Sequence, residues 1–71
     1  MGRRVTRVDK NFAYQLFYSG TDLEYLCRHT NAQATDADPW WEITKFTYTA
    51  GNLTEMKTLF GSVTGRAALA W

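Results

Sequence analysis

The longest run of strand-like patterning in the chain spans Trp40 to Leu59, WWEITKFTYTAGNLTEMKTL. Its first half, Trp40 to Thr49, is dense in aromatic, β-branched and threonine residues, the types that suit a pleated, half-buried surface. Ala50-Gly51-Asn52 interrupts it, with Gly51 and Asn52 as the positive-φ positions of a hairpin loop, and a second run opens at Leu53. Within the first half, Trp41 and Ile43 share one face while Phe46 and Tyr48 share the other. That switch implies either a bulge near Thr44-Lys45 or a strand buried on both sides. Trp40 and Trp41 are adjacent in an extended run and point to opposite sides. One of the two rings therefore needs cover from outside the sheet, supplied by another subunit or by the chain's own loop.

Upstream, Asn11 to Tyr18 alternates with a period of two, Phe12, Tyr14, Leu16 and Tyr18 falling opposite Ala13, Gln15 and Phe17. Ser19-Gly20-Thr21-Asp22 is a turn cluster. Leu23 to His29 resumes strand character, with Leu23, Tyr25 and Cys27 against Glu24, Leu26 and Arg28, so the two runs form a first hairpin. Phe17 and Leu26 lie on the nominally outer sides, so neither face alone reads as core. Such a sheet is covered by its own fold on one side and by a partner on the other. Thr30 to Pro39 is a polar loop without periodicity, longer than a tight turn needs and suited to binding or mobility. Asp36 and Asp38 lack the spacing of a calcium loop and read as solvated acids.

Leu53 to Phe60 fits two descriptions. Asn52 with Glu55 resembles a helix capping box, and Leu53, Met56 and Phe60 follow helical spacing. Thr54, Thr58 and the preceding turn favour a returning strand, which we adopt, leaving a short helix at 53–60 as the alternative. Gly61 to Gly65 reads as a linker-like turn, and Arg66 to Trp71 as a last strand pinned in the sheet, with Ala67, Leu69 and Trp71 on one face. The expected fold is mainly β: a small antiparallel sheet, barrel or sandwich of about five strands in a single domain over 11–71. Residues 1–10 form a basic N-terminal arm in which Arg3, Arg4, Arg7 and Lys10 outweigh Asp9. Such an arm docks on an acidic protein surface or on nucleic acid, or frays in solvent, and Val5 and Val8 also leave room for a short added strand.

Composition sharpens the partner argument. A chain of 71 residues is one domain at most and buries only about 60% of its unfolded surface. One cysteine and one histidine provide neither an internal disulfide nor the four ligands of a structural zinc. Partner subunits are the remaining source of stability. Eleven aromatic rings exceed what a small core hides, which also directs some of them to protein interfaces. No run approaches a transmembrane helix, and MGRRVTRVDK has no apolar segment behind its charges, so neither a membrane span nor a signal peptide is expected. The lone cysteine fits a reducing compartment.

Candidate chemistry is sparse. Cys27 and His29 share a strand face without a third group to orient a nucleophilic pair. The glycines are isolated rather than clustered in a phosphate loop, so no enzyme activity, metal or cofactor is expected. Lys45 and Lys57 with Phe46 and Tyr48 suggest a single-stranded nucleic-acid platform on a small β-barrel, as the alternative reading. Scattered glutamates and a net charge of +1 argue against it. A toxin-like or inhibitor-like enzyme modulator is a third option.

W-E-I-T-K-F-T-Y, followed by A-G-N-L-T and ending in R-A-A-L-A-W, resembles a group of small structural proteins from tailed bacteriophage virions. The likeness covers residues 40–71, with a looser echo in the first hairpin, and the chain departs from the pattern at Thr58-Leu59-Phe60-Gly61. The resemblance implies a virion component made in the host cytoplasm, either capsid decoration or cement, or part of the tail or neck. Its expected partners are further copies of itself and the major capsid or tail and neck proteins. The residues expected at the interface are Arg3, Arg4 and Arg7 on the arm, with Trp40, Trp41, Phe46, Tyr48 and Trp71.

Overall fold

A computed structural model describes residues 2–8 and 11–71. They form one antiparallel sheet whose strands lie in chain order: β1 (Gly2–Val8), β2 (Ala13–Ser19), β3 (Asp22–His29), β4 (Trp41–Thr49) and β5 (Asn52–Gly61). The meander follows from the two turn clusters. Ser19 pairs with Asp22 across a two-residue loop with Gly20 at φ +64°, a backbone state glycine adopts without strain. Thr49 pairs with Asn52 across Ala50-Gly51, at φ +52° and +82°. The positive-φ pair is thus Ala50-Gly51, one residue earlier than the expected Gly51-Asn52, because Asn52 already belongs to the ladder. Residues 53–60 are strand throughout, which removes the helical alternative.

Two expectations at the chain's ends change. The basic segment supplies the edge strand β1, from Gly2↔Ser19 to Val8↔Ala13. Val5 and Val8 had left that option open; Met1, Asp9 and Lys10 of the expected arm lie outside the described residues. Arg66 to Trp71 is not a strand. Arg66–Ala68 is a 3₁₀ turn, Ala67 is exposed, and the tail folds back across the sheet rather than joining its edge.

That tail and the 30–40 loop cover one face. The core comprises Ala13, Phe17, Tyr25, Cys27, Trp41, Ile43 and Val63, with Ala34, Leu69 and Trp71 packed against it. Trp41 is wholly buried and its indole N–H donates to the Thr35 carbonyl at 2.8 Å, as a buried indole requires. Truncating it to alanine would cost about 3–5 kcal/mol. Burial also pushes the Cys27 thiol up to about 11, so it stays protonated and unreactive in the fold.

The loop is held by its acids, which are not the solvated pair the sequence suggested. Asp36 accepts hydrogen bonds from the Gln15 amide and, at 2.9 Å, from Arg4, and its backbone carbonyl accepts Thr64 N–H. Asp38 accepts the Trp40 N–H at 2.9 Å and lies 3.1 Å from His29 Nε2. His29 Nδ1 in turn accepts the Asn31 N–H, which places the neutral ring's proton on Nε2.

Candidate interaction surface

Strand alternation places a second set of side chains on the sheet face that neither the loop nor the tail reaches. Cross-strand registers align them in rows. One row is Val5, Leu16, Leu26, Thr44 and Thr58; the next is Arg7, Tyr14, Arg28, Glu42 and Phe60. Beyond them come Tyr18 on β2 and Phe46 with Met56 on β4 and β5. This open face carries the richer apolar stripe of β2, the one a simple reading would place inside. The covered stripe of β2 is Ala13, Gln15 and Phe17.

The physical reason is the source of the cover. Gln15 can sit at 5% exposure because Asp36 arrives from the loop to accept its amide protons. No segment among the described residues performs that service for the opposite face. Leu16, Leu26, Tyr14 and Phe46 therefore remain half-buried by their neighbours alone, while Met56 and Phe60 are about 59% and 61% exposed.

Polar groups on the open face are largely partnered within it. The Thr44 and Thr58 hydroxyls lie 2.9 Å apart, Tyr48 donates to the Leu23 carbonyl at 2.8 Å, and Arg28 pairs with Glu42 at 3.1 Å. Arg3 stacks 4.8 Å from the Tyr18 ring and Arg28 5.8 Å from Phe12. Apart from Arg7, most of the remaining surface is apolar. A hollow of about 540 Å³ opens over β1 to β3 between Arg7, Tyr14, Leu16 and Leu26, at whose rim Val8 also lies.

The expected interface residues divide between the faces. Arg3, Arg7, Phe46 and Tyr48 belong to the open face. Trp41 is core. Trp71 lies across the covered face 6.1 Å from Tyr25, its indole donating to the Arg66 carbonyl, and Arg4 serves Asp36. Trp40 stands just ahead of β4 and is 70% exposed, so the chain's own loop covers Trp41 and leaves its neighbour out. The open face also carries Leu16, Met56 and Phe60, which sequence reasoning did not put forward, and Leu26, whose place on an outer side it had noted. Surplus apolar character on both faces of β2 and β3 was the signal.

Lys45 and Lys57 pair across β4 and β5 on the covered side, where Lys45 lies 5.9 Å from the Trp71 ring. Phe46 and Tyr48 point the other way, so these four residues do not compose one platform. Among the described residues no group of three His, Cys, Asp or Glu side chains could hold a metal, and no helix is long and apolar enough to cross a membrane. No family model, curated protein or solved structure matches the chain.

Proposed function

We propose that this protein is a structural assembly component that works by protein–protein contact, with the open sheet face as its contact surface. One observation carries the reading: Leu16, Leu26, Phe46, Met56 and Phe60 share a face that the described residues leave uncovered, while the other face is closed. Apolar side chains gathered on one open face, even with Thr44, Thr58 and Glu42 set among them, mark interaction sites on water-exposed proteins. The motif resemblance supplies the setting, a tailed-phage virion, where the chain serves in many copies as capsid decoration, cement or a tail or neck piece. It acts by burial rather than by chemistry. Leu16 and Leu26 are desolvated at the centre, with Phe46 and Tyr48 towards one end of β4, and Arg3 and Arg7 form a polar rim that orients the partner.

Quantitative mass spectrometry of purified particles tests the setting. This chain should be present at stoichiometric, multi-copy levels; its absence from purified particles overturns the virion reading.

A further inference from the structure

Resting on the assembly reading above, we propose that the first partner of the open face is a second copy of this chain. The two sheets pack face to face about a two-fold axis running along β3, and Phe60 of each copy fills the hollow beside Arg7 of the other.

Size permits this. Five strands at ~4.8 Å spacing and about seven residues at ~3.4 Å rise span roughly 24 by 24 Å, or roughly 600 Å² in projection. Side-chain relief brings that to the order of the ~800 Å² per partner found in standard interfaces.

Shape selects the occupant. Phe60 on β5 is the most projecting ring of the face, and the hollow lies on β1 to β3, across β3 from it. Arg7 and Phe60 end the same cross-strand row. A two-fold axis along β3 reverses that row onto itself, so the knob of each copy meets the hole of the other. The neighbouring row reverses likewise, setting Leu16 against Thr44 and Val5 against Thr58, large against small as interdigitated layers require.

Charge selects the orientation. An axis across the strands would stack β1 on β1 and bring Arg3 and Arg7 of both copies together, which like-charge repulsion opposes. An axis along the strands lays the basic strand over β5, whose open-face side chains are uncharged, with Phe60 within reach of an Arg7 guanidinium. The one like-charge pair it creates is Arg28 with its own copy at the axis, and each of these is already neutralised by Glu42 at 3.1 Å. A nucleic-acid partner is less favoured because the β4–β5 half of the face presents the Glu42 carboxylate and no cation for phosphate.

Sedimentation equilibrium on the purified chain tests the pairing, with Trp41 emission as the folding control. Wild type should be a dimer, and Leu26→Glu, at the axis, a folded monomer. Phe60→Lys, on an exposed strand, should weaken association roughly thirtyfold or more, the scale of losing an aromatic anchor seated in a pocket. Adding Arg7→Glu should restore most of the loss, because the new carboxylate faces the new ammonium only in the β1-over-β5 arrangement. A dimer indifferent to Leu26→Glu, or a double variant no tighter than Phe60→Lys alone, overturns the proposed packing. A folded monomer that still binds purified capsid or tail proteins through Leu26 overturns the self-pairing while leaving the assembly reading intact. A monomer that binds neither, or that instead binds oligonucleotides through Arg3 and Arg7, overturns both.

Discussion

The side-chain amide of Gln15, on the central part of β2, donates to the carboxylate of Asp36 in the loop that closes the sheet. This contact crosses 21 residues of chain and determines which face of β2 becomes interior. The Gln15 amide oxygen has no partner of its own among the described residues, so Asp36 is what makes the buried amide tolerable. Asp36→Ala should therefore destabilise the fold by about 1–3 kcal/mol, the cost of stranding a buried polar group. Asp36→Asn, which keeps an acceptor oxygen but loses the charge facing Arg4, should cost less. Urea unfolding followed by Trp41 emission measures both; equal stability of wild type and Asp36→Ala would remove this role.

Acid should loosen the same cover. Hydrogen bonding from Gln15, then from Arg4 with its charge, holds the Asp36 carboxyl below its ordinary value, and the Trp40 N–H, then His29, does so for Asp38. Groups depressed on folding contribute stability that is fully present above the unfolded-state value of about 3.9 and is lost as pH falls through the lower folded values. The urea midpoint should be flat with respect to these two groups near neutrality and fall below about pH 4. Asp36→Asn should flatten part of that acid limb. An unchanged slope in the variant would show that Asp36 is not a source of it.

Ala50 occupies a left-handed conformation that costs an L-residue with a Cβ roughly 1–2 kcal/mol, and it precedes Gly51 in a two-residue hairpin loop. Asn-Gly is the favoured pair for such a loop. Ala50→Asn should raise stability by about 0.5–1 kcal/mol without altering the sheet. Thermal unfolding checks it, and a lower midpoint would contradict the turn geometry.

Gly61 is required for a different reason. A Cβ there would lie 2.6 Å from Leu69 Cδ2, where the tail crosses the end of β5. Gly61→Val should displace Leu69 and lift the tail, costing about 1–3 kcal/mol as overpacking does. Faster hydrogen exchange at the Leu69 and Trp71 amides, which bond to Arg66 and Leu69 carbonyls, would report it. Unchanged protection there would mean that the tail is not seated on Gly61.

The four strands β2 to β5 were legible because alternation and turn residues are local signals. Gly20 and Gly51 mark the two reversals, and Thr54 and Thr58 outweigh the helical spacing of Leu53, Met56 and Phe60. The interior face was not legible. Tyr14, Leu16 and Tyr18 outrank Ala13 and Gln15 in apolar area, yet covering segments come from 30–40 and 62–71, and that choice is a long-range event. RAALAW alternates as well for a strand as for a tail laid over a sheet, so only packing of Leu69 and Trp71 decides. Ring size alone does not sort the tryptophans either: Trp41 is the largest buried side chain while its neighbour Trp40 is exposed, as are Phe60 and Met56 at ordinary strand positions.

The central claim, that another protein covers the open face, is tested most directly by hydroxyl-radical labelling of Met56 and Phe60. Labelling in the chain's native assembly is compared with that in the isolated chain at high dilution. Both residues should label strongly in the dilute chain and be markedly protected in the assembly. Equal labelling in the two states would contradict that claim.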